Sequence, residues 1–249
     1  MRVNHKVNGP VLEVDHLGVR YGDHDALYDV SFDVHAGELV GVIGPNGAGK
    51  STMFKAICGL VNHKGIVEVN GVHCHDRTDR MDLAYIPQRN DSDLNFPITV
   101  GELILAGRRR FHTWWRRPTQ QDRDAASDAL AKVRLQGAES RPLTELSGGQ
   151  LQRAYLARAL AQQASVVLLD ESLSGVDEPT TTELFEVFAT LASEGTTLLV
   201  ATHDLALARR RFKRCLAVNG TLRGDGTPEH VLSADILDTT FGSLGAVAH

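Results

Sequence analysis

Gly44-Pro-Asn-Gly-Ala-Gly-Lys-Ser51 packs glycines, a lysine and a hydroxyl into one short segment. The pattern is GxxxxGK[ST], in which backbone N–H groups cradle nucleotide phosphates, the lysine reaches the β- and γ-phosphates and the hydroxyl binds Mg²⁺. Gly44, Gly47 and Gly49 permit torsions and a close phosphate approach that side chains would block. A helix opening near Lys50 would turn its positive dipole end toward the same phosphates. Asp170 and Glu171 follow the apolar run Val166–Leu169. At the end of a strand, Asp170 can hold the Mg²⁺ shell with Ser51, while Glu171, one residue further, can orient or deprotonate an attacking water. An Asp-Glu pair after a strand is by itself an ordinary solvated loop, and the phosphate loop in the same chain is what gives this pair a task. A second glycine-rich segment, Leu146-Ser-Gly-Gly-Gln-Leu-Gln-Arg153, precedes a helical pattern running to Leu160. Ser147, Gly148 and Gly149 form a small-residue entrance to it, where a hydroxyl, backbone N–H groups and the helix dipole converge on an anion.

The elements that must position these groups follow from periodicity. Leu39–Ile43, Val166–Leu169 and Thr197–Ala201 are short continuous apolar runs, each ending in a polar motif, and read as buried parallel strands. Helix-like segments follow them over Lys50–Gly59, Pro179–Ser193 and Leu205–Phe212, so the alternation predicts a mainly parallel sheet with ligands at its C-terminal edge. Val11–Gly22, Ala26–Val34 and Ile66–Val72 alternate apolar and polar residues, the last around an Asn-Gly turn, and read as antiparallel strands. Between Gln88 and Leu146 the strand signal stops. Thr99–Ala106 and Thr119–Val133 have helical spacing there, the latter opened by Thr119 and Asp122 as a capping box.

Together with the acid pair, Leu146–Arg153 resembles the signature of ATP-binding-cassette (ABC) ATPases, and the motifs fall in that family's order over nearly the whole chain. The resemblance implies an α/β P-loop NTPase cassette with a mainly parallel core sheet, an antiparallel β subdomain and a helical subdomain over about residues 89–160, in one ATP-binding domain spanning 1–249. It implies ATP hydrolysis with ATP and Mg²⁺ as cofactors, the nucleotide being held by Gly44, Pro45, Asn46, Gly47, Ala48, Gly49, Lys50, Ser51 and Thr52. Tyr21 matches the aromatic that stacks on adenine, although an aromatic is also an ordinary strand residue. Gln88, in Tyr85-Ile-Pro-Gln88, matches the glutamine that touches Mg²⁺ and water and relays nucleotide state to a partner. His203, in Ala201-Thr-His-Asp204, matches the histidine that contacts the γ-phosphate. In that family Ser147, Gly148, Gly149 and Gln150 meet the ATP of a second copy, and Asp177 lies in the loop that crosses the dimer axis. Two chains thus pack head to tail around two ATP molecules.

Composition bounds the rest. With 249 residues and 42% hydrophobic content the chain can bury one sizeable α/β core, and each motif occurs once. A net charge of -5 argues against a general nucleic-acid binder, so no nucleic-acid partner is expected. No apolar run approaches the roughly 20 residues that span a bilayer, and Met-Arg-Val-Asn-His does not read as a signal peptide. A cytoplasmic protein is expected, held to the inner face of the membrane through separate permease subunits. The resemblance adds an extracytoplasmic substrate-binding protein as a further partner. Three scattered cysteines, Cys58, Cys74 and Cys215, suit a reducing compartment. An exporter subunit is the nearer alternative; a soluble non-transport cassette and a regulator without turnover are more distant ones.

Two departures from the family pattern stand out: Ser172 occupies the usual proline position after the catalytic glutamate, and Gly175-Val176-Asp177 replaces the commonest crossing loop. The latter, with Asp93–Val100 and the run from Arg108 through Trp114-Trp-Arg-Arg-Pro118, resembles cassettes of manganese, zinc and iron importers. Manganese or zinc is the expected cargo, with iron or an iron chelate next. His73-Cys74-His75 offers soft ligands but no second pair at zinc spacing, so a solvated loop is expected. The aromatic and basic mixture at Phe111–Pro118 is read as packing of the helical subdomain or contact with a membrane partner.

Overall fold

The computed structural model describes residues 9–74, 82–88, 98–108, 117–170 and 177–242. In chain order these form β1 (Leu12–Tyr21), β2 (His24–Val34), β3 (Leu39–Ile43), α1 (Lys50–Ile57), β4 (Lys64–Val69), β5 (Val72–His73) and β6 (Leu83–Ile86). There follow α2 (Val100–Gly107), α3 (Gln120–Lys132), α4 (Gly148–Ala161), β7 (Val166–Leu169), α5 (Glu178–Ser193), β8 (Thr197–Thr202) and α6 (Leu205–Arg211). The chain closes through β9 (Arg214–Asn219), β10 (Thr221–Gly226), α7 (Pro228–Val231) and α8 (Ala234–Phe241). Two sheets result: a four-stranded antiparallel sheet ordered β2-β1-β4-β5, and a six-stranded sheet ordered β10-β9-β3-β8-β7-β6. In the larger sheet only the edge pair β9–β10 is antiparallel.

The alternation expected for β1 holds with one slip. Leu12 and Val14 are buried, and then so are Leu17 and Val19, because the pairing with both neighbours shifts register between Val14 and Gly18. His16 takes a positive φ of 51° at that bulge, which keeps the apolar set on one face despite the extra residue. The Asn-Gly turn closes the β4–β5 hairpin as expected: Asn70 and Gly71 have φ of 54° and 72°, the type I′ signature, and Val69 pairs with Val72.

Period-2 alternation in the parallel strands divides the core in two. Val40, Val42, Leu168, Leu199 and Leu216 face the antiparallel sheet, and α1 lies between the two sheets with Met53, Phe54 and Ile57 fully buried. Ile43, Val167, Leu169, Leu198 and Val200 face the other way, toward Leu156, Leu184, Phe188 and Leu207 on helices α4 to α6. α2 and α3 both pack on α4. Thr99–Glu102 and Thr119–Asp122 close reciprocal capping boxes at their starts, each cap contributing about 1 kcal/mol. Asp122 also accepts from Arg108 Nε at 3.0 Å, and Arg108 donates to the Ala161 carbonyl at 3.0 Å. This buried pair ties the end of α2 to the start of α3 and the end of α4.

Two expectations need correction or extension. His73-Cys74 is not a solvated loop: His73 pairs with Glu68 in β5, and Cys74 is 2% exposed with its N–H on the Val67 carbonyl. His75 lies outside the described residues, among which no cluster of metal ligands occurs. β6 and β9 join the three expected parallel strands; β6 is only four residues long, and the apolar run of β9 is prefaced by a cation-rich stretch that masks it. Desolvation pushes the Cys215 thiol in β9 up to about 12, so it behaves as an apolar filler. Among the described residues no helix is long and apolar enough to cross a membrane.

Candidate functional site

β3 ends at Ile43, and the chain turns through the glycine-rich loop into α1. Gly49 is the hinge of that turn. Its φ of 95° is left-handed, and a Cβ there would lie 2.6 Å from Leu27 Cδ2 and 2.9 Å from the Ala26 carbonyl, so β2 presses directly on the loop. Lys50 is 4% exposed, and its ammonium donates to the carbonyls of Gly44 at 2.8 Å and Pro45 at 3.0 Å. From the far side, the β9–β10 turn closes in, with Gly220 N–H donating to the Ala48 carbonyl at 2.9 Å. A pocket of about 430 Å³ is lined by Asn46 through Thr52 together with Tyr21, His24, Ala26 and Gln88. The fold therefore brings Tyr21 and Gln88 to the phosphate loop from two other strands' ends. Gly44 and Pro45 stand behind this lining as the anchors of Lys50. Tyr21 is 47% exposed, which leaves its ring available for stacking.

Asp170 emerges from β7 at 1% exposure, and both of its carboxylate oxygens are engaged. Oδ1 accepts from Ser51 Oγ at 2.9 Å, and Oδ2 accepts from the Tyr85 hydroxyl at 2.8 Å. Burial and the adjacent Asp170 charge push the Tyr85 phenol well above its ordinary range, so it stays a donor. β8 lies between β3 and β7, pairing Ile43 with Thr202 and Leu169 with Val200. His203, exposed and next after β8, thus leaves the same edge of the sheet as the phosphate loop and Asp170. Asp204 caps α6 immediately after it, accepting from Leu207 N–H. Glu171 lies outside the described residues.

Ser147 and Gln150 form a capping box at the start of α4: Ser147 Oγ accepts from Gln150 N–H at 3.3 Å, and Ser147 N–H donates to Gln150 Oε1 at 3.1 Å. Gly148 is exposed, whereas Gly149 is buried against α5 so tightly that a Cβ would sit 2.1 Å from Thr180 Cγ2. Asp177 caps α5 and accepts from both the N–H and the hydroxyl of Thr180 at 2.9 Å, which holds its carboxyl below the usual range. Thr180 therefore links Asp177 to Gly149. These residues form a second cluster, and none of them lines the phosphate-loop pocket.

Sequence reasoning did not single out Tyr85 or His24. Tyr85 stands three residues before Gln88, but its task depends on β6 lying beside β7, a tertiary fact that a four-residue strand does not announce. His24 lines the pocket because β1 and β2 turn back tightly, pairing it with Tyr21.

A family model for the ABC transporter matches residues 27–174. The manganese transport system ATP-binding protein MntB of Halalkalibacterium halodurans is 37% identical over 93% of this chain and 92% of its own length. The zinc transport system ATP-binding protein TroB of Treponema pallidum is 36% identical over 93% of this chain and 86% of its own length. The chelated iron transport system protein YfeB of Yersinia pestis is 37% identical, covering 94% and 80%. Among solved structures, an ABC transporter described as metal-chelate type, in an inward-facing conformation, superposes with a TM-score of 0.81 at 27% identity over 94% of this chain and 89% of that one. A cassette solved in its ADP conformation superposes with a TM-score of 0.80 at 23% identity, covering 94% and 98%. The family model over residues 27–174 and the ATP-binding subunits matched over nearly the full length, on a fold with a pocket at its glycine-rich loop, place the chain in the family of ABC transporter ATP-binding cassettes, which bind and hydrolyse ATP for a transport system.

Proposed function

We propose that this chain is the ATP-hydrolysing subunit of a divalent-metal importer, acting as a single cassette over 1–249 with its helical part at about 89–160. One observation carries the mechanism: the chain holds two anion-directed clusters that do not share a pocket, one around Lys50, Ser51 and Asp170 and the other at Ser147–Gln150 beside Asp177. A complete site then needs the first cluster of one copy and the second cluster of another, as in a head-to-tail dimer with two ATP molecules at its interface.

In this reading Tyr21 stacks on adenine, and the segment from Gly44 to Thr52 wraps the phosphates. Lys50 exchanges its two carbonyl partners for phosphate oxygens. Ser51 and Asp170 offer a hydroxyl and a carboxylate 2.9 Å apart beside the pocket, a hard oxygen pair suited to Mg²⁺, with Gln88 on the pocket wall. When bound, that cation supplies charge neutralisation between the β- and γ-phosphates. Glu171 accepts the proton of the water whose oxygen attacks the γ-phosphorus as the bond to the β-bridging oxygen breaks. His203 steadies the γ-phosphate oxygens from just beyond the end of β8. Ser147, Gly148, Gly149 and Gln150 present their anion-binding end to the partner's ATP, and Asp177 crosses between the copies. Loss of the γ-phosphate opens the dimer and moves the attached permease subunits.

Manganese or zinc is the cargo supported by the relatives, whose names specify manganese, zinc and chelated iron transport. An extracytoplasmic binding protein would deliver it, with the cassette at the inner membrane face. Two measurements test the reading. Glu171→Gln should keep ATP binding, lose steady turnover and accumulate as an ATP-bound dimer; turnover within a few-fold of wild type would rule out the assigned chemistry. Deletion of the gene should lower cellular manganese or zinc and make growth chelator-sensitive, with rescue by added metal; unchanged metal content under limitation would point to another cargo.

A further inference from the structure

Tyr85 is unusual among the groups near the pocket because it touches the phosphate-loop partner Asp170 rather than the pocket itself. β6 runs parallel to β7 with Tyr85 opposite Leu168, and the phenol reaches along the sheet to the carboxylate beyond the strand end. The backbone makes a parallel tie, Asp170 N–H donating to the Ile86 carbonyl at 2.9 Å. A carboxylate at the end of a strand is free to rotate about χ2, and each rotamer points a different oxygen at the loop. Here one oxygen is held by Tyr85 at 2.8 Å, so the other stays 2.9 Å from Ser51. Beyond the end of β6 the chain continues through Pro87 into Gln88, which lines the nucleotide pocket.

Resting on the ATPase reading above, we propose that Tyr85 is a positioning residue: its hydroxyl, donated to Asp170 Oδ2, aims Oδ1 at Ser51 and so sets how strongly a divalent cation reinforces nucleotide binding. Asp170 thereby presents one oxygen to the cation and keeps the other out of reach. With Oδ1 already held toward Ser51, Asp170 would need no reorientation to hold a divalent cation together with the Ser51 hydroxyl. Because Gln88 follows the end of β6 by two residues, the bond from the phenol on β6 also ties the strand that leads into the Gln88 segment to the acid. The phenol is not among the groups that line the nucleotide pocket.

Tyr85→Phe removes the hydroxyl and keeps the ring. The probe is ATP binding by calorimetry, once in Mg²⁺ and once in EDTA, on a Glu171→Gln background so that no turnover intervenes. The expected result is an unchanged affinity in EDTA and a gain from Mg²⁺ that is smaller by about tenfold, the effect of losing one hydrogen bond to a charged group. A Mg²⁺ gain equal to that of the Glu171→Gln parent would overturn the assignment. So would an equal loss in both buffers, or loss of the cooperative thermal melt without nucleotide, either of which would make Tyr85 a packing residue. A parent protein that binds ATP in neither buffer would instead overturn the functional reading, and this inference with it.

Discussion

The phosphate loop and the start of α4 are both glycine-rich entrances to helices, yet they are built in opposite ways. The first is assembled from afar: Lys50 and Ser51 at the start of α1, Asp170 after β7, Tyr85 on β6 and Gly220 in the β9–β10 turn come together from distant parts of the chain, and Lys50 and Asp170 are buried. The second is local, a capping box within four residues whose Ser147 and Gly148 are exposed, braced on one neighbour through Gly149 and Thr180. A buried assembly holds a ligand by its own geometry, whereas an exposed, self-satisfied helix end contributes only when something is brought to it. The contrast supports the proposed site shared between two copies.

The largest test separates the two regions by mixing. Lys50→Ala and Ser147→Arg should each lower ATP turnover by at least about a hundredfold, since each removes charge stabilisation or blocks its partner. Combined, the two proteins should regain turnover that neither has alone, because a mixed dimer contains one site free of both changes. No recovery in a mixture shown to exchange subunits would break the comparison.

A smaller effect probes the brace between α4 and α5. Gly149→Ala should cost roughly tenfold or more in turnover while leaving nucleotide binding intact, because the new methyl collides with Thr180 Cγ2, which a Cβ would approach to 2.1 Å. Thr180→Ser removes that Cγ2 but keeps the hydroxyl bonded to Asp177. The Gly149→Ala/Thr180→Ser protein should therefore recover most of the loss, and a double variant as slow as the single would show that the collision is not the cause.

How much of this was legible beforehand also divides along the two regions. At α4 the small-residue helix entrance was read from the sequence, and the Ser147–Gln150 cap that completes it is local, whereas the Gly149–Thr180 contact depends on how α5 packs. At the phosphate loop the sequence carried the motif but not its supports. Nothing in Tyr85-Ile-Pro-Gln88 states that the phenol meets Asp170, and nothing at Gly220 states that its N–H meets Ala48, since both depend on strand order. β3, β7 and β8 were readable as continuous apolar runs; β6 was too short and β9 too closely prefaced by cations. The slip in β1 at His16 likewise needed both neighbouring strands to become visible.

Two stability measurements complete the comparison. Ser147→Ala should cost about 1 kcal/mol in denaturant unfolding, the usual worth of a helix cap, with the phosphate pocket unaffected. The smallest effect is at Asp177, whose carboxyl is held low first by Thr180 N–H and then by the Thr180 hydroxyl. A lowered folded-state value stabilises above the unfolded carboxyl value of about 4 and is lost as pH falls through the folded value. Asp177→Asn should thus lower the melting temperature slightly at neutral pH and converge with wild type in acid; an equal offset at every pH would assign the effect to packing.

The hydrogen bonds around the phosphate loop also bear on the speed of capture. The carbonyls of Gly44, Pro45 and Ala48 already have donors from Lys50 and Gly220, so the negative ends of those peptide units are turned into the protein before any ligand arrives. The loop's ordering entropy is lost during folding rather than at the encounter. In the proposed reading an arriving nucleotide meets a loop whose peptide units are already bonded, and Lys50 has to release the Gly44 and Pro45 carbonyls before it can reach the phosphates.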